Sequence, residues 1–254
     1  MAELKLSVAD WNFVQSEMEP EAYYAAIAAA GYVGAEMVQP DRRDVARAAG
    51  LELVNICAAG MGVGLNFAEN HDTLIPEIRE TIAAAGADGI KQVIVFSGER
   101  NGLDDASGIA NCAAGLAQLV DDAEAADVVL TFEMLCSPNH GDYHAAASSF
   151  GYEVVRKVNS PRVRALYDIY HQTRTGEDHY LTLVPHLNLI GHLHVAGSPE
   201  RNFPGPDQEI DFAPLVKAVQ AAGYEGFWGM EFSADGNSLA EALAAAKLFK
   251  GYAG

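Results

Sequence analysis

The chain has 254 residues, 50% of them hydrophobic and 20% charged, with a formal net charge of −19 from 16 Lys plus Arg against 35 Asp plus Glu. That length and composition predict one domain over residues 1–254 with a sizeable core. The negative charge repels polyanions, and the basic spots at Arg42-Arg43, Arg156-Lys157 and Arg162 with Arg164 are too short to track a phosphate backbone, which excludes nucleic acid as a partner.

At the N-terminus, MAELKLSVAD lacks the basic segment and apolar run of a secretory signal. No uninterrupted apolar stretch approaches the ~20 residues that span a bilayer, so no membrane association is expected. Cys57, Cys112 and Cys136 are odd in number and lack CxxC spacing. They read as small buried hydrophobes in a reducing cytosol, and the expected location is cytoplasmic.

Along the chain, β-rich runs alternate with segments of helical apolar spacing. The first strand, 4–9, is followed by a helix over 20–30 that Pro20 opens, where a missing N–H is harmless. Strand 34–38 leads to helix 42–49, strand 52–58 to helix 74–85, and strand 92–96 to helix 108–126. In the second half, strands 128–134, 163–170, 189–196 and 227–232 alternate with helices 145–157, 180–186, 212–222 and 239–249. Gly31, Gly50, Gly86 and Gly223 follow Ala-rich runs and are expected as left-handed helix ends. Eight strands alternating with eight helices predict a closed parallel (β/α)8 TIM barrel. An open doubly wound sheet would show a Gly-rich phosphate loop after its first strand, and SVADWNF has none.

The last four strands each end in a strongly coordinating side chain: Glu133 in TFEML, Asp168 in LYDIYH, His194 in HLHVAG and Glu231 in GMEFS. The steps from 133 to 168, 168 to 194 and 194 to 231 span 35, 26 and 37 positions, each about one βα repeat of ~30 residues. Strand alternation puts Val129, Thr131 and Glu133 on one face, as it does Leu166 with Asp168, His192 with His194, and Gly229 with Glu231. Three carboxylates converging without a counter-charge would repel strongly. One divalent cation removes that cost, and three hard oxygens with an imidazole suit Mn, Mg or Co, with Zn also compatible. His192, two residues deeper, is expected to orient ligands rather than bind the ion.

LYDIYHQTRTGE, IGHLHVAGSPERNFPG and GYEGFWGMEF resemble the xylose-isomerase-like barrels, in the branch of hydroxypyruvate isomerase and the ketose 3-epimerases. The Asp168-x-x-His171 pair and Pro199-x-Arg201 carry the most specific likeness, with a weaker one over nearly the whole chain. The resemblance implies that Glu133, Asp168, His194 and Glu231 bind the metal. It further implies that Glu133 and Glu231 form the acid–base pair and that His171 and Arg201 contact substrate oxygens. Position 194 carries His, as in the epimerases, where hydroxypyruvate isomerases commonly have Gln, and GMGVGLNFAENHD at 60–72 differs from their usual loop. Trp11, Phe96 and Tyr143 fall near strand ends, where pocket walls and ordinary packing are both open readings.

The expected activity is a metal-dependent isomerase or epimerase moving a proton between adjacent carbons of a small hydroxy-carbonyl sugar or sugar acid through an enediolate. An inosose-dehydratase-like lyase begins with the same proton abstraction and is the alternative; a metal-retaining binding protein is a lesser one. A repair nuclease of the wider superfamily would need more His on the early strands, which offer Asp10, Glu36 and Asn55 instead. The expected partner is a small carbohydrate-like substrate; self-association into a homo-oligomer stays open.

Overall fold

The computed structural model describes residues 4–13, 18–236 and 238–253. Residues 1–3 of the stretch read for a secretory signal lie outside these. Among the described residues the strands are β1 (Lys5–Ala9), β2 (Gly34–Glu36), β3 (Glu52–Leu53), β4 (Asn55–Cys57), β5 (Gln92–Val95), β6 (Val129–Glu133), β7 (Val163–Asp168), β8 (Ile190–Val195) and β9 (Phe227–Met230). Their order is β3-β2-β1-β9-β8-β7-β6-β5-β4, with parallel pairing at β1–β2, β1–β9, β4–β5, β5–β6, β6–β7 and β8–β9. The first and last strands of this order are separated in the chain by Val54 alone. They are the two parts of one predicted strand, 52–58, so the predicted eight-stranded (β/α)8 barrel is the fold, with its third strand interrupted at Val54.

The helices are α1 (Asp10–Phe13), α2 (Pro20–Ala30), α3 (Arg43–Ala48), α4 (His71–Ala87), α5 (Asp105–Ala117), α6 (Val120–Ala125), α7 (Ser137–His140), α8 (Ser148–Val158), α9 (Ile169–Thr175), α10 (His179–Thr182), α11 (Phe212–Ala221) and α12 (Ser238–Ala253). Contacts group the chain into two units. The first comprises Met1–Val54, Asp178–Leu187 and Leu193–Gly254, and the second Asn55–Glu177 with Asn188–His192.

In the first unit, Leu6, Val8, Ala35, Trp228 and Met230 of the strands are buried, as are Tyr23 and Ile27 of α2 and Phe249 of α12. The Phe249 ring lies 6.2 Å from Trp228 and 5.2 Å from Phe212, so aromatic faces carry much of this packing. Pro20 opens α2, and Gly31 closes it at φ 92, its N–H donating to the Ala28 carbonyl at 2.9 Å. The α12 residue Lys250 adds a donor to the Ala30 carbonyl at 3.1 Å, the favourable sign for a helix C-terminus. At the end of β1 the buried Asp10 accepts a hydrogen bond from the Tyr24 hydroxyl, which ties the first strand to α2.

In the second unit, α4 buries Leu74, Ile75, Ile78, Ile82 and Ala85, a stripe at helical spacing. β5 and β6 bury Val93, Ile94, Val95, Leu130 and Phe132, and the Phe132 ring stacks on Phe150 at 6.4 Å. Asp104 caps α5 by accepting from the Ser107 N–H at 3.0 Å.

Several expectations are corrected. Gly86 lies inside α4, which runs on to Ala87, and the left-handed residue is Gly89 at φ 68. A Cβ at Gly86 would stand 2.8 Å from that of Ala126, so close approach explains this glycine. The expected helix 108–126 is two helices, broken at Gln118-Leu119. The expected strand 163–170 stops at Asp168, whose side chain caps α9, so Ile169 and Tyr170 are helical. The expected helix 180–186 is a single α turn followed by the 3₁₀ segment Val184–Leu189; Pro185 lacks the N–H that α continuation needs. Cys57 is exposed, whereas Cys112 and Cys136 are buried as expected. Among the described residues no helix is long and apolar enough to cross a membrane.

Two tests follow from this packing. A Cβ on Gly34 would lie 2.5 Å from Val54 Cγ2 and 2.8 Å from Phe227 Cε1. Gly34→Ala should therefore lose about 1–3 kcal/mol of unfolding free energy in urea; an unchanged midpoint would contradict the tight β2 packing. Burial pushes the Asp10 carboxyl up to about 6, against the Tyr24 hydrogen bond and the Arg42 charge that pull it down. Its pKa is higher folded than unfolded, so its stabilising contribution is whole below about pH 4 and lost as pH rises through about 6. Asp10→Asn should remove that slope, so the Tm difference between variant and native chain should change between pH 4 and 6. Parallel Tm curves would refute the burial argument.

Candidate active site

In the first unit, β8 ends with His194 one residue from its close, and Glu231 directly follows β9. Parallel pairing aligns them: His194 is registered with Gly229, and the Glu231 N–H donates to the Val195 carbonyl at 3.0 Å. Both side chains are buried, and His194 Nδ1 lies 3.1 Å from Glu231 Oε2. Arg201 Nη2 donates to the same oxygen at 2.6 Å, and Trp11 Nε1 donates to Oε1 at 3.1 Å. The guanidinium of Arg201 stands 5.8 Å from the Trp11 ring centroid.

This surrounding sets the charge on Glu231. Burial alone would raise its carboxyl, but the charges of His194 and Arg201 and the hydrogen bond from His194 outweigh that and hold it at about 2. Glu231 is therefore an ionised carboxylate at neutral pH, fit to ligate a cation or to accept a proton.

Arg201 is brought in by the loop after β8. Gly197 and Asn202 form an antiparallel bridge, with the Gly197 N–H donating to the Asn202 carbonyl at 2.7 Å. Arg201 sits in the left-handed region at φ 54, a costly conformation for a residue with a Cβ. Its carbonyl accepts from the Ser233 N–H at 2.7 Å, which fastens the loop beside Glu231.

The second unit holds Glu133 at the end of β6 and Asp168 at the end of β7, both buried. The Tyr143 hydroxyl donates to the Glu133 carbonyl at 2.9 Å and accepts from the Ser97 N–H at 2.9 Å. Asp168 Oδ1 accepts the His171 N–H at 3.1 Å, and its Oδ2 lies 3.6 Å from His171 Nε2, beyond hydrogen-bond length. His171 is wholly buried; the Cys136 N–H reaches its Nδ1 at 3.4 Å and Cys136 Sγ lies 3.1 Å from it. An acceptor at Nδ1 places the ring proton on Nε2, so His171 is a donor on the Asp168 side.

The structure thus brings together His194, Glu231 and Arg201 within one unit, and Asp168 with His171 within the other. Of the three residues near strand ends, Trp11 touches Glu231 and Tyr143 touches the Glu133 backbone, while Phe96 is packed in the core. Sequence reasoning missed Glu36, which is fully buried at the end of β2 with Oε2 2.9 Å from His194 Nε2. It also missed Cys136, whose contact with His171 spans 35 positions. The available signal for Glu36 was its place, a carboxylate closing a strand as Glu133 does.

Comparisons with known proteins agree with this architecture. A model of the family described as xylose isomerase-like TIM barrel matches residues 24–252. Hydroxypyruvate isomerase of Escherichia coli is 29% identical over 109 residues, 42% of this chain and 41% of that protein. An inosose dehydratase of Geobacillus thermodenitrificans is 31% identical over 103 residues, 32% of this chain and 34% of that one. The chain is thus matched to well under half the length of these curated relatives. A D-psicose 3-epimerase from Clostridium cellulolyticum H10, solved with D-tagatose, superposes with a TM-score of 0.82 at 16% identity, covering 98% of this chain and 99% of that one. The family match spans most of the sequence, and the chain is a member of the xylose isomerase-like TIM barrel family.

Proposed function

We propose that Glu133, Asp168, His194 and Glu231 hold one divalent cation, and that the chain isomerises or epimerises a small hydroxy-carbonyl sugar or sugar acid. One observation carries the reading: two of the four, the buried His194 and Glu231, bring Nδ1 and Oε2 to 3.1 Å of each other at neighbouring strand ends. The donor set fits such an ion. Three carboxylates sharing one site would repel strongly without added positive charge, and hard oxygens with one imidazole suit Mn, Mg or Co. The isomerase and epimerase relatives support the reaction class.

A bound cation would supply Lewis-acid stabilisation of the charge that grows on substrate oxygens when a neighbouring C–H loses its proton. The rest falls to the side chains. Glu133 and Glu231 close different strands, and one takes the proton from carbon while the other returns it to the adjacent carbon. Asp168 and His194 serve as ligands without moving protons. His171 presents its Nε2–H to a substrate oxygen, and Arg201 presents a planar pair of donors.

Glu231 Oε2 already receives Arg201 at 2.6 Å and faces His194 at 3.1 Å. Glu231 Oε2 would be its ligand atom for the ion, and the Arg201 guanidinium would then be available to a substrate oxygen. Loss of water from a polyol-derived ketone is a second reading, favoured by the dehydratase relative. It shares the first proton abstraction and differs in a product lighter by one water.

Hydroxypyruvate, ketohexoses, 2-oxo-tetronate derivatives and inososes should be screened with Mn or Mg, following product mass and exchange of the α-proton with solvent deuterium. Glu133→Gln and Glu231→Gln should each slow exchange by about 10²–10⁴-fold; undiminished exchange in both would overturn the acid–base roles. Adding Mn at about 100 times its Kd should stabilise the folded chain by about 2.7 kcal/mol. An unmoved Tm, together with a metal-free elemental analysis after gentle purification, would overturn the metal centre.

A further inference from the structure

We propose that Glu36 is a positioning residue for the candidate metal centre, holding Nε2 of His194 so that Nδ1 is the nitrogen presented to the ion. The proposal rests on reading His194 as a ligand. Glu36 closes β2, where β1–β2 pairing registers Ala9 with Glu36 and Ser7 with Gly34. Its side chain is fully buried, a costly place for a carboxylate unless both oxygens are satisfied. They are satisfied from two sides. Oε1 accepts the Ser7 hydroxyl at 2.5 Å, and Oε2 lies 2.9 Å from His194 Nε2.

A carboxylate only accepts, so Nε2 carries a proton toward Glu36, and the proton that Nδ1 turns toward Glu231 is the one a bound cation would replace. The opposite nitrogen, Nδ1, is the one 3.1 Å from Glu231 Oε2, on the side of a second candidate ligand. Ser7, Glu36, His194 and Glu231 thus form a continuous row, two of them fixed by neighbouring strands and two by β8 and the residue after β9. A carboxylate behind a ligating imidazole fixes the ring orientation and raises its basicity, and losing one typically costs 10–100-fold in metal affinity. The same geometry explains why a glutamate is buried at the end of β2, a strand that contributes none of the four proposed ligands.

The test titrates metal-free native chain, Glu36→Gln and His194→Ala with Mn²⁺, reading free ion by electron paramagnetic resonance, with the Tm of each metal-free protein alongside. Glu36→Gln should bind 10–100-fold more weakly while its metal-free Tm stays within a few degrees of native. Native affinity in that variant, or a loss as complete as in His194→Ala, would overturn the proposal; the second result would make Glu36 a ligand itself. A second readout needs no metal. The native chain should show a solvent-shielded imidazole Nε2–H resonance that vanishes in His194→Ala and in Glu36→Ala. Its persistence in Glu36→Ala would overturn the hold on His194. Should the native chain take up no Mn²⁺, the metal reading fails, and this resonance alone decides whether Glu36 holds the ring.

Discussion

A carboxylate removed from water must be answered by positive charge or by several donors, and the strand ends of this protein are arranged around that requirement. Glu36, Glu133, Asp168 and Glu231 are all buried at or just after the ends of strands. Glu36 is answered by Ser7 and His194, and Glu231 by His194, Arg201 and Trp11. Asp168 accepts the His171 N–H in the first turn of α9 and so joins strand to helix. His194 answers two of them, so one side chain of β8 ties the end of β2 to the end of β9. Arg201 meets Glu231 from a left-handed backbone at φ 54, a costly conformation for a residue with a Cβ.

Much of the fold was legible because the barrel repeats one local pattern. Buried parallel strands read as short β-branched runs, and helices as Ala-rich stripes, so all eight strands were found. The misses were local competitions. Gly86 looks like a helix end, yet it is spent on closeness to Ala126, a contact no short window displays. Ile169 and Tyr170 look like strand, but Asp168 offers its side chain to the backbone and helix begins there. Val54 breaks the third strand with no breaker residue, and nothing in the sequence marks the interruption.

The site was legible where it followed the repeat and illegible where it crossed it. Glu133, Asp168, His194 and Glu231 recur at one position per βα unit, and that period singled them out. The Glu36–His194 contact joins residues 158 positions apart and no period announces it. Cys136 reads in the sequence as a packing residue, but the β6–α7 turn puts its sulfur against His171. Reading strand ends without regard to which strands carried the likeness would have brought Glu36 forward.

The charge state of Glu231 limits how a proton can pass between two carbons. A carboxyl held at about 2 is ionised at neutral pH, a state that suits a proton acceptor or a ligand better than a first proton donor. Anything that takes Arg201 away from Oε2 weakens the hold on that low value and makes Glu231 a better base. A substrate oxygen that draws the guanidinium to itself would do this at the moment a base is needed. The Arg201–Glu231 ion pair would then keep the carboxylate solvated by protein donors, and its exchange for substrate contacts would couple binding to basicity.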